Sequence, residues 1–597
     1  MNNYDAIIID SGYSGQNKKN IAGVNLYDKE TVEVSDNIGH GTSVTDLIIE
    51  KCPESNLLMI KICDSYTDFS CDTLCSALRY IVTNKLHCNV LNISLGIQRV
   101  DNFKLFSKLI EQIISMNIVV VSAYHSKTMS FPAAFKDVIG VDVNSKIKSL
   151  DDFVYNENGI IDIIGSDSYI RFAQNKNKSS FNRGSSFIAA KISGLLVRFF
   201  YKNDNCSDKN KVARQYLKSI AKTVRIFHDP VIDRGAMFLK TTKQAIALPF
   251  NKEIAALAAN EDLINFEIAN YFDFEISLNK NKLVSSVLPH SNNQKKIRSI
   301  CEINWENEFD TVICGHCKEY EVLTGSKVID NIIHNCMVHN KKIYCFDDLS
   351  DKKNINDLNC YFPCVHKNMV PKDRYNKLFE LSKPILAIMG TSSVQGKYSL
   401  QLTLRRQLLS MGYNVSNIGT EPNGYIFGFD YIFPIGYESK TTLNPYEFTT
   451  LVNNAIWNSE QKDPDIIIIG SQSGTIPIAN NNLEYFLFRQ YELLLGCNPD
   501  AVLLCVNSFD SDLYIKKTIN FIESCTHAKV IALVLSPIKK PNNGFSLRHK
   551  RDVLETEEIL FLVEQLKQRF GISVYPLGID TKQLTNEILY FFGGHNV

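Results

Sequence analysis

Three residues in the first third of the chain could together perform nucleophilic hydrolysis. Asp10 precedes Ser-Gly, His40 precedes Gly-Thr, and Ser186 precedes the apolar run Phe-Ile-Ala-Ala. A serine hydroxyl becomes a nucleophile when a neighbouring histidine takes its proton, and a carboxylate orients that imidazole and stabilises its charged form. The order aspartate, histidine, serine therefore predicts a catalytic triad that cleaves an acyl bond through a covalent intermediate.

The elements around these residues alternate between strands and helices. An apolar run ends at Asp10, whereas His40 and Ser186 stand where helical patterns begin. Such alternation is typical of βαβ units, so the predicted fold class is α/β with a parallel sheet. Backbone N–H groups at a helix start also stabilise negative charge that develops on a substrate. Strands are predicted at 6–9, 57–62, 90–93, 118–121 and 138–141, and helices at 41–50, 73–84, 103–116 and 185–200.

With these motifs in place, residues 1–200 resemble the subtilisin (S8) peptidase family. Asp10 matches that family's Asp-Thr/Ser-Gly motif, His40 matches its His-Gly-Thr motif, and residues 184–194 are similar to its Gly-Thr-Ser-Met-Ala-x-Pro helix. The resemblance implies a serine endopeptidase with Asp10, His40 and Ser186 as its triad. It also implies a peptide or protein substrate and no cofactor for proteolysis.

Two further segments carry the same resemblance and imply where substrate binds. Residues 91–96 are similar to the family's strand that binds substrate backbone by antiparallel pairing. That similarity implies that Ser94, Leu95 and Gly96 line the cleft. Residues 131–141 are similar to the family's Tyr-Pro-Ala segment.

The position that holds the oxyanion differs from the family pattern. The family's asparagine is missing from the stretch Ser-Ala-Tyr-His-Ser-Lys, where ungapped counting places Ser126, with His125 beside it. Either side chain could donate a hydrogen bond, and loss of such a donor costs about 3 kcal/mol of transition-state stabilisation. The helix after Ser186 has Ala190 where the family has proline, a change expected to affect packing rather than chemistry. A peptidase fold without activity is therefore an open alternative.

Two further α/β regions follow, so three domains are predicted. The subtilisin-like domain is predicted at 1–235, a Rossmann-like domain at 243–378 and a P-loop α/β domain at 380–597. A length of 597 residues fits three or four domains. The middle domain has no Gly-x-Gly-x-x-Gly loop after its first strand, so dinucleotide binding is not predicted there.

The third domain contains a candidate phosphate-binding loop between a strand and a helix. In a Walker A loop, backbone N–H groups and a lysine bind phosphates and a hydroxyl reaches Mg²⁺. Here the two glycines are one residue further apart than in that motif, and a tyrosine separates the lysine from the hydroxyl. The candidate cofactor-binding residues are Gly390, Thr391, Gly396, Lys397 and Ser399.

Residues 384–540 resemble the P-loop family DUF1611, whose function is poorly defined and whose loop reads Gly-Thr-x-x-x-x-Gly-Lys-x-Thr. Residues 420–424 and 465–475 are similar to two more of its segments. The resemblance implies ATP or another nucleotide with Mg²⁺ at the loop. Gly470 stands where the family has an acidic residue that would organise Mg²⁺, so binding rather than hydrolysis is predicted. A turn without a ligand is the alternative.

Composition limits the partners. Lysine plus arginine and aspartate plus glutamate both number 64, so no net charge favours nucleic acid or an anionic membrane. The apolar runs are strand-sized and no secretory signal begins the chain, so no membrane association is predicted. Sixteen scattered cysteines favour reduced thiols and a cytoplasmic protein. The pair Cys314 and Cys317 is interpreted as a coincidence of spacing, and no metal site is predicted.

These observations predict an intracellular subtilisin-like serine endopeptidase of restricted specificity. The arrangement resembles bacterial peptide-maturation proteins, which implies a precursor peptide whose leader is removed. A homo-oligomer is compatible with the sequence. Two alternatives stay open. In one, an inactive protease fold binds peptide while the P-loop domain is a nucleotide-dependent enzyme. In the other, the whole chain is a non-catalytic peptide-binding scaffold.

Overall fold

The computed structural model describes most of residues 3–594, and it describes no side chains at 173–179. The chain forms two compact units, Met1–Pro230 with Pro371–Ser382 and Val231–Val370 with Lys383–Val597. In the described part of the chain, no helix is long and apolar enough to cross a membrane. The undescribed positions within 3–594 are 17–19, 29–32, 66–68, 101, 126–127, 176–177, 204–205, 229, 232, 289–290, 308, 353–358, 372–376, 436–441, 480, 484–485 and 540–552.

The first unit is built on a large, mostly parallel sheet. Its strands are β1 (Asn3–Asp10), β2 (Ile21–Asn25), β3 (Leu57–Lys61), β4 (His87–Ile93), β5 (Val119–Ala123), β6 (Ile139–Asn144), β7 (Val154–Glu157), β8 (Ile163–Ser166), β9 (Ile170–Asn175), β10 (Lys178–Asn182) and β11 (Thr223–Ile226). Nine of them form one sheet in the order β11-β7-β8-β6-β5-β4-β1-β3-β2, in which β7 and β8 are antiparallel and the other neighbours are parallel. The remaining two, β9 and β10, form an antiparallel hairpin.

Helices cover both faces of this sheet, as a parallel sheet with buried apolar strands requires. The helix α4 is apolar almost all round, and eleven of its eighteen residues are buried. It packs closely on α1 at Gly194, where a Cβ would lie 3.0 Å from the Cβ of Lys51. The helices are α1 (His40–Lys51), α2 (Cys71–Thr83), α3 (Phe103–Ser115), α4 (Ser185–Lys202) and α5 (Lys209–Ile220).

The second unit contains two parallel sheets. The first has the order β14-β13-β12-β15-β16-β17, which is the strand order of doubly wound nucleotide-binding folds. Its strands are β12 (Gln244–Leu248), β13 (Glu267–Asp273), β14 (Ile297–Ser299), β15 (Thr311–Cys314), β16 (Lys342–Cys345) and β17 (Cys360–Tyr361). The accompanying helices are α6 (Gly235–Leu239), α7 (Lys252–Ala259), α8 (Val284–Val287), α9 (Lys318–Thr324) and α10 (Val328–Val338).

The other sheet has the order β20-β19-β21-β18-β22-β23-β24 and is parallel throughout. Its strands are β18 (Ile385–Gly390), β19 (Val415–Gly419), β20 (Tyr431–Ile432), β21 (Ile466–Gly470), β22 (Ala501–Asn507), β23 (Lys529–Ser536) and β24 (Ser573–Pro576). The helices are α11 (Lys397–Ser410), α12 (Pro445–Glu460), α13 (Arg489–Cys497), α14 (Asp512–Cys525), α15 (Thr556–Phe570) and α16 (Thr581–Gly593).

These sheets confirm the predicted α/β class. The strand predicted at 57–62 is β3, and the helix predicted at 185–200 is α4. One buried apolar cluster of the second unit joins residues of both its sheets, including Ile313 on β15 and Ile432 on β20. The division of residues 243–597 into two domains near 379 stays a prediction.

Candidate active site

Asp10 and His40 form a hydrogen-bonded pair at the carboxyl edge of the large sheet. Asp10 is the last residue of β1 and His40 the first of α1, and Nδ1 of His40 lies 2.8 Å from Oδ1 of Asp10. Because a carboxylate only accepts hydrogen bonds, His40 donates through Nδ1. In the neutral ring the lone pair is therefore on Nε2, which is the atom that can take a proton from a nucleophile.

The surroundings of His40 tune its basicity. Burial by itself would lower the pKa of His40, but the charge and hydrogen bond of Asp10 and the charge of Asp36 together outweigh it. The net result is a pKa raised above the ordinary value of 6.5. A raised pKa makes the neutral imidazole a stronger base, which suits general-base catalysis.

A second carboxylate, Asp36, holds the turn that leads into α1. Its Oδ1 accepts hydrogen bonds from the Ser11 hydroxyl (2.8 Å) and from the backbone N–H groups of Ile38 (3.1 Å) and Gly39 (2.9 Å). Its Oδ2 accepts from the backbone N–H (2.8 Å) and hydroxyl (2.7 Å) of Thr42. Asp36 thus fixes the end of β1 against the start of α1, and a negative charge at a helix N-terminus is favourable.

The absence of a side chain at Gly41 permits this close approach. A Cβ on Gly41 would lie 2.3 Å from the carbonyl oxygen of Gly12 and 3.1 Å from Oδ1 of Asp10. The backbone N–H of Gly41 instead donates to the Ser11 hydroxyl over 3.0 Å. His40 therefore meets Asp10 because the residue after it is glycine.

Ser186 lies in the first turn of α4, after Gly184 as N-cap. Its hydroxyl donates to the carbonyl oxygen of Ser94 over 2.8 Å, and the Ser94 hydroxyl donates to the carbonyl of Ser186 over 3.1 Å. The residue after it, Phe187, places its ring centroid 5.4 Å from that of His40. The structure therefore brings the predicted nucleophile, base and carboxylate into one corner of the first unit.

The loop after β5 carries the predicted oxyanion donor His125. The hydroxyl of Ser185 donates to the carbonyl of Tyr124 over 2.8 Å, which ties this loop to the start of α4. Nε2 of Gln98 lies 2.9 Å from Nδ1 of His125. An amide nitrogen only donates, so the proton of the neutral His125 ring is on Nε2, which can donate to an oxyanion. Ser126, the other predicted donor, lies outside the described residues.

The predicted substrate-binding residues directly follow β4. Ser94 is buried, and its hydroxyl also accepts from the side-chain amide of Asn92 over 2.8 Å. Leu95 and Gly96 are half-buried. A Cβ on Gly96 would lie 3.2 Å from the carbonyl of Ala123, so the backbone of this segment lies close to the end of β5. The segment is thus part of the corner that contains Ser186.

The predicted phosphate-binding loop joins β18 to α11. Gly390 ends the strand, and Gly396, with a φ of 82°, is the N-cap of the helix. Lys397 donates to the carbonyl of Ser392 over 2.6 Å, and burial lowers the pKa of Lys397 to about 8. Oε1 of Gln395 accepts from the backbone N–H of Ser392 over 3.0 Å.

The donors of this loop fit a phosphate better than they fit Mg²⁺. A helix N-terminus and a lysine are the groups that bind phosphate oxygens. Gly470 supplies no carboxylate. A Cβ at this position would lie 2.0 Å from Oε1 of Gln401, so the space for an acidic side chain is already filled. Thr391 donates to the carboxylate of Asp510 over 2.5 Å, and Ser399 is exposed on α11, whereas Lys397 is buried.

No group of three or more His, Cys, Asp or Glu residues is arranged to hold a metal ion in the described part of the chain. The sulfur atoms of Cys314 and Cys317 lie 3.8 Å apart and are buried. His316 lies between these two cysteines in sequence, and its Nδ1 is 2.9 Å from Oδ1 of Asp347. This second histidine–carboxylate pair lies in the second unit.

Comparison with known families finds a similarity in the C-terminal part of the chain. Residues 372–580 match a family described as a domain of unknown function, the DUF1611_C P-loop domain. The match confirms the resemblance predicted from the loop at 390–399. A solved DUF1611 family protein from Anabaena variabilis is 11% identical, with a TM-score of 0.42, and the likeness covers 58% of this chain and 99% of that protein.

The chain is also similar to known proteases, in keeping with the predicted resemblance to subtilisin-like peptidases. The minor extracellular protease Epr of Bacillus subtilis is 24% identical over 164 residues, which are 25% of this chain and 25% of Epr. The chain thus spans about a quarter of the length of that curated relative. The solved prenylagaramide maturation protease PagA is 19% identical, with a TM-score of 0.29, over 36% of this chain and 82% of PagA.

Two residues of the site were not predicted from the sequence. Asp36 lies only four positions before His40, so a carboxylate next to the His-Gly-Thr motif was the available signal. Gln98 lies two positions after the substrate-binding segment and offers no such signal, because only the fold brings it to His125.

Proposed function

We propose that this protein is a serine endopeptidase of the subtilisin type. The observation that carries the proposal is the Asp10–His40 pair, 2.8 Å apart, in the same corner as Ser186 at the start of α4. The curated relative Epr is a protease, which supports the same reaction class.

In the proposed reaction, Oγ of Ser186 attacks a peptide carbonyl and its proton passes to Nε2 of His40. Asp10 keeps the ring in the required tautomer and stabilises the imidazolium that forms. His40 then gives the proton to the leaving amine as the C–N bond breaks, which leaves an acyl-enzyme. A water molecule, deprotonated by His40, attacks the acyl carbon, and His40 returns the proton to Ser186.

The oxyanion would be held by N–H donors around the start of α4. The backbone N–H of Ser186 belongs to the first turn of that helix, where N–H groups have no partner within the helix. The side chain of His125 supplies Nε2–H, because Gln98 donates to its other nitrogen. A histidine donor in place of an amide would retain much of the stabilisation that one such hydrogen bond contributes.

The proposed substrate is an extended peptide that pairs with Ser94, Leu95 and Gly96. Backbone pairing of this kind selects an extended conformation rather than a side-chain sequence, so specificity would come from pockets that receive the side chains of the peptide. A peptidase region and a DUF1611 P-loop domain in one chain favour processing of a particular precursor over general digestion. We therefore propose that the substrate is a precursor peptide. The protein would remove the leader of this peptide in a cytoplasmic ribosomal-peptide maturation system.

The P-loop region is proposed to bind ATP or another nucleotide through its phosphates. Lys397 and the backbone N–H groups of 393–397 would hold the phosphate oxygens that a nucleotide supplies, since the N–H groups of Thr391 and Ser392 already donate to Cys505 and Gln395. Gly390 and Gly396 would allow the backbone to lie close to them. Magnesium would accompany the nucleotide rather than be held by a carboxylate at Gly470.

Incubation with a peptide library made from a bacterial proteome tests the peptidase proposal. Mass spectrometry should detect new peptide termini with the parent protein and none with the Ser186→Ala variant. Identical new termini in both samples would contradict it. Binding of library peptides by both proteins without cleavage would instead favour the scaffold alternative.

A further inference from the structure

A segment distant in sequence from the triad packs on the loop that carries His125. Pro371–Ser382 belongs to the first unit, although the strands before and after it in the chain, β17 and β18, belong to the second. Residues 377–379 of this segment contact the loop at 124–131. We name residues 377–379 the strap.

Polar contacts join the strap to both ends of the loop. The backbone N–H of Met129 donates to the carbonyl of Leu378 over 3.3 Å. The ammonium of Lys377 lies 4.5 Å from the ring centroid of Tyr124 and 3.0 Å from Oδ2 of Asp142. Asp142 is buried and Lys377 is half-buried, so this ion pair is screened less than a fully exposed pair.

An apolar contact completes the attachment. Phe379 is 6% exposed, and its ring stacks on that of Phe131 with a centroid distance of 6.2 Å and an interplanar angle of 12°. Phe131 in turn exchanges two backbone hydrogen bonds with Ile97, of 2.7 and 2.8 Å. Through Phe131, the strap is therefore connected to Ile97, the residue that follows the predicted substrate-binding segment.

The loop transmits its position to the catalytic corner. Its first residue, Tyr124, accepts the Ser185 hydroxyl beside the nucleophile, and the backbone N–H of His125 donates to the hydroxyl of Ser130 over 2.7 Å. A displacement of the loop would move His125 relative to Ser186. A misplacement of about 1 Å in a catalytic constellation can reduce a rate about 100-fold.

We propose that the strap is a positioning element of the peptidase site, which fixes the described residues of this loop, 124–125 and 128–131, so that His125 keeps its position relative to Ser186. Lys377 and Phe379 act through Tyr124 and Phe131 rather than on the substrate. The role in catalysis rests on the proposed function. It implies that the working peptidase site includes residues beyond 1–235.

The test uses the full chain with Lys377→Met and Phe379→Ala. The matched control is Lys383→Met, since Lys383 is six residues further on and pairs with Asp463 in the second unit. Hydrogen exchange followed by mass spectrometry should show faster exchange across 124–131 in both strap variants and no change in the control. This measurement needs no activity. If hydrogen exchange is unchanged in both variants, the proposal that the strap fixes this loop is overturned.

A fluorophosphonate probe, which reacts with an activated serine, then measures the effect of the strap on the reactivity of Ser186. Its second-order labelling rate should fall about tenfold in Lys377→Met and Phe379→Ala. Lys377→Arg, which keeps the cation, should restore it. If the strap acts through His125, Lys377→Met should cause no further loss in a His125→Ala background, because effects on one interaction are not additive.

The outcomes separate the two proposals. Equal losses in the presence and absence of His125 would overturn the positioning role, because they would indicate general loosening of the unit. No labelling of the parent protein would contradict the proposed peptidase. The exchange data would still decide in that case whether the strap holds the loop.

Discussion

Ser186 and Ser94 are joined by two reciprocal hydrogen bonds, in each of which the hydroxyl of one residue donates to the backbone carbonyl of the other. Ser186 Oγ donates to Ser94 O over 2.8 Å, and Ser94 Oγ donates to Ser186 O over 3.1 Å. A hydroxyl has one proton, so transfer of that proton to His40 requires that it leave Ser94 O. The two bonds therefore anchor α4 to the end of β4, and in the proposed reaction the attack would begin with a reorientation of the Ser186 hydroxyl.

The proposed base predicts a definite pH dependence. His40 acts only when neutral, so the fluorophosphonate labelling rate should rise with pH through the pKa of His40, which is raised above 6.5. Asp36→Asn removes one of the two charges that raise this pKa. The midpoint of the rise should therefore move to lower pH, and the plateau should fall because the turn before α1 loses a hydrogen-bond acceptor.

Asp72→Asn is the control for this shift, because Asp72 lies in the first turn of α2 and is not among the groups that act on His40. Its profile should match that of the parent. A midpoint that is unchanged in Asp36→Asn would refute the electrostatic role assigned to Asp36.

The oxyanion donor can be identified by substitution. His125→Ala should reduce the labelling rate by about 100-fold, since it removes a donor to the developing negative charge. Gln98→Ala should cause a smaller loss, because the ring would keep its donor but lose its fixed tautomer. Ser126→Ala serves as the comparison. A loss confined to Ser126→Ala would assign the donor to that residue instead.

The close approach at Gly41 predicts a strong effect of one methyl group. Gly41→Ala would place a Cβ 2.3 Å from the carbonyl oxygen of Gly12, so β1 and α1 would have to separate. Labelling should be lost and the thermal unfolding midpoint of the first unit should fall. Gly593→Ala, where a Cβ would meet no atom within 4 Å, should change neither.

The P-loop lysine predicts pH-dependent anion binding. Lys397, with a pKa lowered to about 8, is charged at pH 7 and largely neutral at pH 9. The affinity for ATP, measured by titration calorimetry with and without Mg²⁺, should therefore be higher at pH 7. Lys397→Met should abolish it, whereas the exposed Lys529→Met should not. Equal affinities in parent and Lys397→Met would contradict the proposed phosphate site.

Much of the fold was predictable because the buried strands are apolar runs with clear ends. Three predicted segments, 57–62, 185–200 and 90–93, correspond to β3, α4 and β4 within a few residues. The antiparallel pair β7 and β8 and the hairpin β9–β10 were not predicted, since short strands differ little from loops in local sequence pattern.

The residues of the candidate site also differ in how far local sequence patterns predict them. Asp10, His40 and Ser186 could be predicted because each stands in a local motif at an element end. Asp36 and Gln98 act through hydrogen bonds that depend on turn geometry. The strap could not be predicted, because it is more than 240 residues from His125 in sequence and only tertiary packing brings Leu378 to Met129.

The central claim is that Ser186 is an activated nucleophile, and intact-mass spectrometry after fluorophosphonate treatment tests it most directly. The parent protein should gain the mass of one adduct, located by digestion at Ser186, while the Ser186→Ala variant and heat-unfolded parent gain none. An unmodified parent, or an adduct of equal yield on Ser186→Ala, would contradict the claim.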